Sequence, residues 1–382
     1  MTEEQHETLL EVTGLSVRIG KGAEAVRPVE NVDIGIRHGE TFALLGESGC
    51  GKSMTALAIM RLLPEAASIV AGDVRLEGGD LLALSEKAMR LERGGRVGMI
   101  FQEPMTSLNP VMTVGRQIGE AVALHDADNR DRIDERVVEL LTAVGIPDPV
   151  RRAAEYPHQL SGGMKQRIMI AMALAGRPKL LIADEPTTAL DVTIQAQVLT
   201  LLKDLQQETR MAILLITHDL GVVAEVADRV AVMYAGEIVE TRDRAEFFEA
   251  PMHPYSRRLF EALPTTQKRT RALAVIPGNV PSLDQEFAGC RFAERCPLSD
   301  SSCRDTRPPW RGEPGGDGYR CLLTETGMPT EEVAEQILAA IRREQLHVFT
   351  HQEVKSALAL RSSNLLRGVD PWIDPGRRES GS

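Results

Sequence analysis

With 382 residues, 43% hydrophobic but only 4% aromatic, the chain has length for one large domain plus an appendage, with a core mainly of Leu, Val, Ile, Ala and Met. A net charge of −11 gives no electrostatic footprint for nucleic acid. The acidic start Met1-Thr2-Glu3-Glu4-Gln5 lacks the basic and apolar regions of a signal peptide, and the apolar runs fall far short of the roughly 20 residues that span a bilayer. Any membrane role is therefore expected to come through partners.

Over the first 250 or so residues, short apolar runs alternate with longer amphipathic segments, which predicts an α/β domain with a largely parallel sheet. The first such run, Thr41-Phe42-Ala43-Leu44-Leu45, leads into Gly46-Glu47-Ser48-Gly49-Cys50-Gly51-Lys52-Ser53, and an amphipathic helix is expected at 54–63. Strand, glycine-rich loop and helix in that order form the context of a phosphate loop. Its glycines let backbone N–H groups turn toward phosphate oxygens, and the helix N-terminus adds positive potential. Lys52 is expected to reach the β- and γ-phosphates of a bound nucleotide, and the Ser53 hydroxyl to ligate Mg²⁺.

A strand is expected over Val97-Gly98-Met99-Ile100-Phe101, ending at Gln102. From about 113 to 175 strand-like runs are absent, and the segment reads as a helical insertion, with one clear helix at 133–144. Near its end, Leu160-Ser161-Gly162-Gly163-Met164-Lys165-Gln166-Arg167 precedes a helical run at 168–175, again placing backbone amides at a helix N-terminus. Leu180-Leu181-Ile182-Ala183-Asp184-Glu185 is an apolar strand ending in two carboxylates. Placed beside the phosphate-loop strand, Asp184 can hold Mg²⁺ through water and Glu185 can polarise the attacking water. Further strands are expected at 212–216 and 229–233, the first followed by Thr217-His218-Asp219.

Taken together, these motifs resemble the ABC ATPase family, whose signature is Leu-Ser-Gly-Gly-Gln; here Met164 stands at the Gln position. The resemblance implies an ABC-type P-loop ATPase domain, a RecA-like sheet core plus helical subdomain, over residues 1–250. It implies that the signature of one subunit closes over the γ-phosphate held by the other, so that a head-to-tail pair sandwiches two ATP molecules. By the same resemblance Gln102 is the lid glutamine that senses Mg²⁺ and water, Asp191 the cross-interface aspartate and His218 the switch histidine. The family's adenine-stacking aromatic is missing, since no Phe, Tyr or Trp precedes Phe42. Arg18 or Ile19 is expected near the base, with weak base selectivity.

From Pro251-Met252-His253-Pro254-Tyr255 to about residue 325 the chain is rich in Pro, Gly and Cys. This module and the stretches Phe101-Gln102-Glu103-Pro104-Met105-Thr106-Ser107-Leu108-Asn109-Pro110, Tyr156-Pro157-His158-Gln159 and Gly289-Cys290-Arg291-Phe292-Ala293-Glu294-Arg295-Cys296-Pro297 are similar to the dipeptide, oligopeptide and nickel importers. That resemblance implies a peripheral ATPase on the cytoplasmic side of the inner membrane. Its partners would be a second ATPase subunit (a sister or a second copy), two transmembrane permease subunits and an extracytoplasmic solute-binding protein, without nucleic acid. The alternative is a soluble ABC ATPase of translation or DNA repair, disfavoured by a single ATPase unit and an acidic balance.

Cys290, Cys296, Cys303 and Cys321 are separated by five, six and seventeen residues, without a Cys-x-x-Cys pair, so they do not look like a zinc ribbon. The resembling group includes members whose four cysteines bind a 4Fe–4S cluster; zinc, or four reduced thiols packing a small module, are the alternatives. Residues 326–382 form an extra tail, with a helix expected at 333–341 and a loose end from 370.

Overall fold

Strands buried on both faces lie at the centre of the molecule. The computed structural model of the chain describes residues 7–22, 25–102, 107–188, 191–262, 276–285 and 287–323. The chain opens with two long strands, β1 (Thr8–Ile19) and β2 (Val26–Arg37), then β3 (Thr41–Leu45), which feeds the phosphate loop and α1 (Lys52–Ile59). β4 (Ala67–Leu76), β5 (Gly79–Asp80), α2 (Glu86–Glu92) and β6 (Val97–Ile100) follow. The next stretch is helical: α3 (Val114–His125), α4 (Ile133–Ala143), α5 (Pro149–Ala153) and α6 (Gly162–Ala173). The sheet resumes with β7 (Leu180–Asp184), α7 (Val192–Thr209), β8 (Ala212–Thr217), α8 (Leu220–Val226), β9 (Arg229–Tyr234) and β10 (Glu237–Asp243). Short elements complete the described chain: α9 (Arg244–Glu249), α10 (Pro254–Glu261), α11 (Ser301–Asp305), β11 (Arg311–Gly312) and β12 (Gly318–Tyr319).

The larger sheet has eight strands in the order β11-β12-β10-β9-β3-β8-β7-β6, parallel from β9 to β6 and antiparallel at the other edge. Every residue of β3, β7, β8 and β9 is buried, as expected for parallel strands covered on both faces. Alternation within each strand then divides the interior. Leu180, Ile182, Leu214 and Ile216 face one core, and Leu181, Ala183, Ile213 and Leu215 face the other, which continues into the helical segment through Ile118, Leu141 and Ile168.

The smaller sheet, β2-β1-β4-β5, is antiparallel and closes the first core with Leu10, Leu15, Ile34 and Val74. The expected strands do not include it. Its strands alternate polar and apolar residues and carry several register shifts, one of them around Gly14, so no continuous apolar run marks them.

A third core, built on Val232, Tyr234, Phe247, Tyr255, Phe260 and Phe292, joins the C-terminal module to the sheet. Charge pairs reinforce the join: Arg291 reaches Glu30 and Glu237, and Arg307 reaches the same two carboxylates. The expected tail helix at 333–341 and the loose end from 370 lie outside the described residues.

Candidate active site

The phosphate loop turns between β3 and α1 under tight steric control. A Cβ at Gly46 would stand 2.3 Å from the Met233 carbonyl oxygen, and one at Gly51 2.0 Å from that of Pro28. Gly51 is also the N-cap of α1, with φ at +111°, a conformation that glycine adopts without a Cβ clash. Lys52 opens the helix, and its ammonium donates to the carbonyls of Gly46 and Glu47 at 2.8 and 2.9 Å. The first-turn N–H groups have no partner within the helix, and no acidic side chain occupies that turn. Cys50 is fully buried, with its sulfur 3.8 Å from the Lys52 nitrogen. Burial raises the Cys50 thiol pKa despite the adjacent Lys52, which makes Cys50 a filler of the loop interior.

Asp184 and Glu185 sit at the end of β7. Expected beside β3, this strand is separated from it by β8. The chemistry still converges, because the Ser53 hydroxyl donates to Asp184 Oδ1 at 3.1 Å. Burial pushes the Asp184 carboxyl up, while the Ser53 hydrogen bond pulls it back. A hydroxyl and a carboxylate in contact supply the oxygen donors that a hard divalent cation takes, so the pair fits Mg²⁺.

Glu185 is held in a left-handed backbone conformation, φ +47°, with its N–H on the Ile216 carbonyl at 2.9 Å. A non-glycine residue there is uncommon and strained. Three side chains converge on its carboxylate: the Gln102 amide at 3.0 Å, the Thr188 hydroxyl at 2.9 Å and His218 Nδ1 at 3.2 Å. Burial alone would raise this carboxyl. The hydrogen bonds from Thr188 and His218, with the charges of His218 and Lys52, outweigh it and hold Glu185 below the ordinary range. Gln102 itself follows β6, and residues 103–106 of its loop lie outside the described chain.

Thr188 is absent from the residues expected at the site. It lies three residues after Glu185, the one local signal that its hydroxyl could reach back to the carboxylate.

The second glycine pair begins α6. Ser161 is its N-cap, accepting from the Met164 N–H at 3.4 Å. The helix starts at Gly162, six residues earlier than the apolar run at 168 suggests, because the cap rather than the apolar pattern sets its origin. Among the described residues beyond its own helix turn, a Cβ on Gly162 would meet nothing within 4 Å, whereas one on Gly163 would meet Ile194 at 2.9 Å. Leu160 is buried and Met164 packs against the helical core. Asp191 caps α7, accepting from the Ile194 N–H at 3.0 Å. Arg18 is exposed at the end of β1, and Ile19 beside it is half-buried.

Cys290, Cys296, Cys303 and Cys321 wall one small apolar cavity together with His253, Phe292 and Ala293. All four are free, and burial pushes the Cys290 thiol up to about 12 and raises that of Cys296. Although they share a cavity, no group of three or more His, Cys, Asp or Glu side chains among the described residues is arranged to hold a metal ion.

Comparison with known proteins gives two family matches, the ABC transporter family over residues 29–188 and the oligopeptide/dipeptide transporter C-terminal region over 239–303. A probable peptide ABC transporter ATP-binding protein of Sinorhizobium fredii is 52% identical over 302 residues, 78% of this chain and 90% of that protein. The dipeptide transport ATP-binding protein DppD of Escherichia coli is 48% identical over 324 residues, 84% of this chain and 99% of its own. Among solved structures, a dimeric ATP-binding cassette in a post-hydrolysis state with ADP and Pi is similar at a TM-score of 0.55 and 27% identity. It covers 62% of this chain and 98% of that one.

Proposed function

The chain belongs to the ABC transporter family, as an ATP-binding subunit of the branch with the oligopeptide/dipeptide transporter C-terminal region, and from that premise we propose how its residues power import. The subunit is an ATPase that drives uptake of di- or oligopeptides, or a related small solute, through a membrane permease. The C-terminal region at 239–303 favours this over a soluble ATPase of translation or DNA repair.

Lys52 turns from the loop carbonyls to the β- and γ-phosphates, and the amides at the start of α1 receive the phosphate oxygens. Ser53, Asp184 and Gln102 would hold Mg²⁺, which supplies charge neutralisation at the phosphoryl group when bound. Glu185 accepts hydrogen bonding from the attacking water and orients it, while His218 faces the γ-phosphate. Leu160, Ser161, Gly162, Gly163 and Met164 serve the ATP held by a partner ATPase, sister or second copy, with Asp191 at that interface. The dimeric cassette among the similar structures supports this pairing.

Gln102 and the 103–110 loop couple the cycle to the permease. The subunit then sits peripherally on the cytoplasmic side of the inner membrane, fed by an extracytoplasmic solute-binding protein. None of the described helices is long and apolar enough to cross a membrane.

The observation that carries the reading is the Glu185 carboxylate, gathered by Gln102, Thr188 and His218 next to the Ser53–Asp184 pair. Glu185→Gln should retain ATP while hydrolysis falls by about a hundredfold or more; unchanged turnover would refute the assignment of the base.

The four cysteines enter as a donor set for a 4Fe–4S cluster, which suits thiolates in number and kind. As described they share a cavity without the arrangement of a metal centre, so no step of hydrolysis is assigned to a cluster. Iron and sulfide content of anaerobically purified protein decides between a cluster, zinc and four reduced thiols.

A further inference from the structure

The phosphate loop is braced from outside by the C-terminal module. Lys52 has three N–H donors and uses two of its hydrogen bonds on the carbonyls of Gly46 and Glu47. When that ammonium turns to a phosphate, the loop loses this tie and keeps within itself the Cys50 N–H on the Glu47 carbonyl at 3.3 Å. Glu47 has two further ties outside the loop. Its N–H donates to the Tyr255 hydroxyl at 3.1 Å, and its carboxylate receives both Nη atoms of Arg295 at 3.1 and 3.2 Å.

This is not a loose surface pair, which would contribute little. The Arg295 side chain is 7% exposed and that of Glu47 28%. Every N–H of the guanidinium has an acceptor within 3.4 Å: the Glu47 carboxylate, the Tyr234 hydroxyl and the carbonyls of Pro277 and Ile276. A planar fork with all its donors engaged fixes the carboxylate in direction as well as distance. Tyr255 is fully buried, with ring centroids 4.6 Å from Tyr234 and 5.4 Å from Phe292, so packing sets the position of its hydroxyl. Arg295 thus ties the Glu47 carboxylate to Tyr234 and to the backbone of Ile276 and Pro277, so one side chain joins the loop to the module.

We propose, resting on the ATPase reading above, that Arg295 and Tyr255 are positioning residues for ATP hydrolysis. They act through Glu47, holding the loop in the shape that receives phosphate while Lys52 changes partners. The C-terminal module is thereby part of the nucleotide site.

The test uses the purified full chain with a fluorescent ATP analogue, and steady-state hydrolysis by the assembled transporter. Arg295→Met should raise Kd and KM for MgATP about tenfold, with kcat changed less. Arg295→Lys should recover only part of that, because an ammonium lacks the fork. The double variant Arg295→Met with Glu47→Gln should be no worse than Arg295→Met alone. Tyr255→Phe, which keeps the ring packing but removes the acceptor of the Glu47 N–H, should raise KM. Effects of Arg295→Met and of Glu47→Gln alone that simply add in the double variant, or a fall in Tm with KM at the wild-type value, would overturn the inference. Lys52→Ala separates the two readings. If it binds and hydrolyses ATP like wild type, the ATPase reading fails. If it alone loses ATP while the Arg295 and Tyr255 variants keep wild-type KM, the positioning inference fails and the ATPase reading stands.

Discussion

The Thr188 hydroxyl donates to Glu185 Oε2 at 2.9 Å, and so ties the strand-end carboxylate to the loop that leads into α7. Burial favours the neutral form of Glu185; the Thr188 bond is the foremost of the contacts that reverse it, ahead of those from His218. The group that orients water is thus kept ionised by a side chain one turn away.

Thr188→Ala should therefore move the acid limb of the pH–kcat profile to higher pH. The sign follows from the direction of the shift. A carboxyl held below its ordinary value stays charged as pH falls until its folded value is reached, and removing a contact that lowers it raises that point. The stability contributed by the ionised Glu185 is present above its unfolded value and lost as pH falls through the folded one. An acid limb that does not move in the variant would show that another group limits the rate.

Asp184 behaves oppositely. It is 4% exposed, and burial pushes its carboxyl up. With a folded value above the unfolded one, the unfolded chain releases this proton first as pH rises, so ionised Asp184 opposes folding at neutral pH. Asp184→Asn should raise Tm by a few degrees at pH 7 in chelator and abolish the further stabilisation that MgATP gives the wild type. A lower Tm in chelator would show that the Ser53 contact outweighs the burial cost.

Much of this site could be read locally. Asp184, Glu185 and His218 each lie where an apolar strand stops at a polar residue, and Ser53 opens a helix after a glycine-rich loop. Strands β3, β7, β8 and β9 were legible for the same reason, because both faces are buried and the run is continuous. The smaller sheet was not. In β1 the Gly14 bend, at φ +60°, interrupts alternation that already leaves seven of twelve residues exposed or half-buried. The module's brace on the loop was beyond reach for another reason. Arg295 and Tyr255 meet Glu47 across 248 and 208 residues of sequence, and no local pattern encodes such a pairing.

Asp191 has two roles to separate, a cap on α7 within the chain and a proposed contact across the interface. Asp191→Ala should cost about 1 kcal/mol of stability through loss of the cap. Asn caps nearly as well, so Asp191→Asn should leave Tm near wild type. If Asp191→Asn also leaves hydrolysis by the assembled transporter unchanged, the charge does no work at the interface.

Gly162 offers the sharpest test of the two-ATP clamp. Among the described residues nothing beyond its own helix turn lies within 4 Å of a Cβ built there, and its backbone is not in the left-handed region. Nothing in the subunit's own fold therefore requires glycine at the first position of α6. Alanine is the better helix former by up to about 1 kcal/mol, so Gly162→Ala should keep or raise Tm. ATP binding by the isolated subunit should also be unchanged, because its own phosphate loop is untouched. If the amides of this helix end close over a phosphate held by a partner, the added methyl projects into that approach. Hydrolysis by the assembled transporter should then fall by about a hundredfold. Wild-type turnover in Gly162→Ala would remove the signature from the partner's site and leave the subunit to work on its own ATP alone.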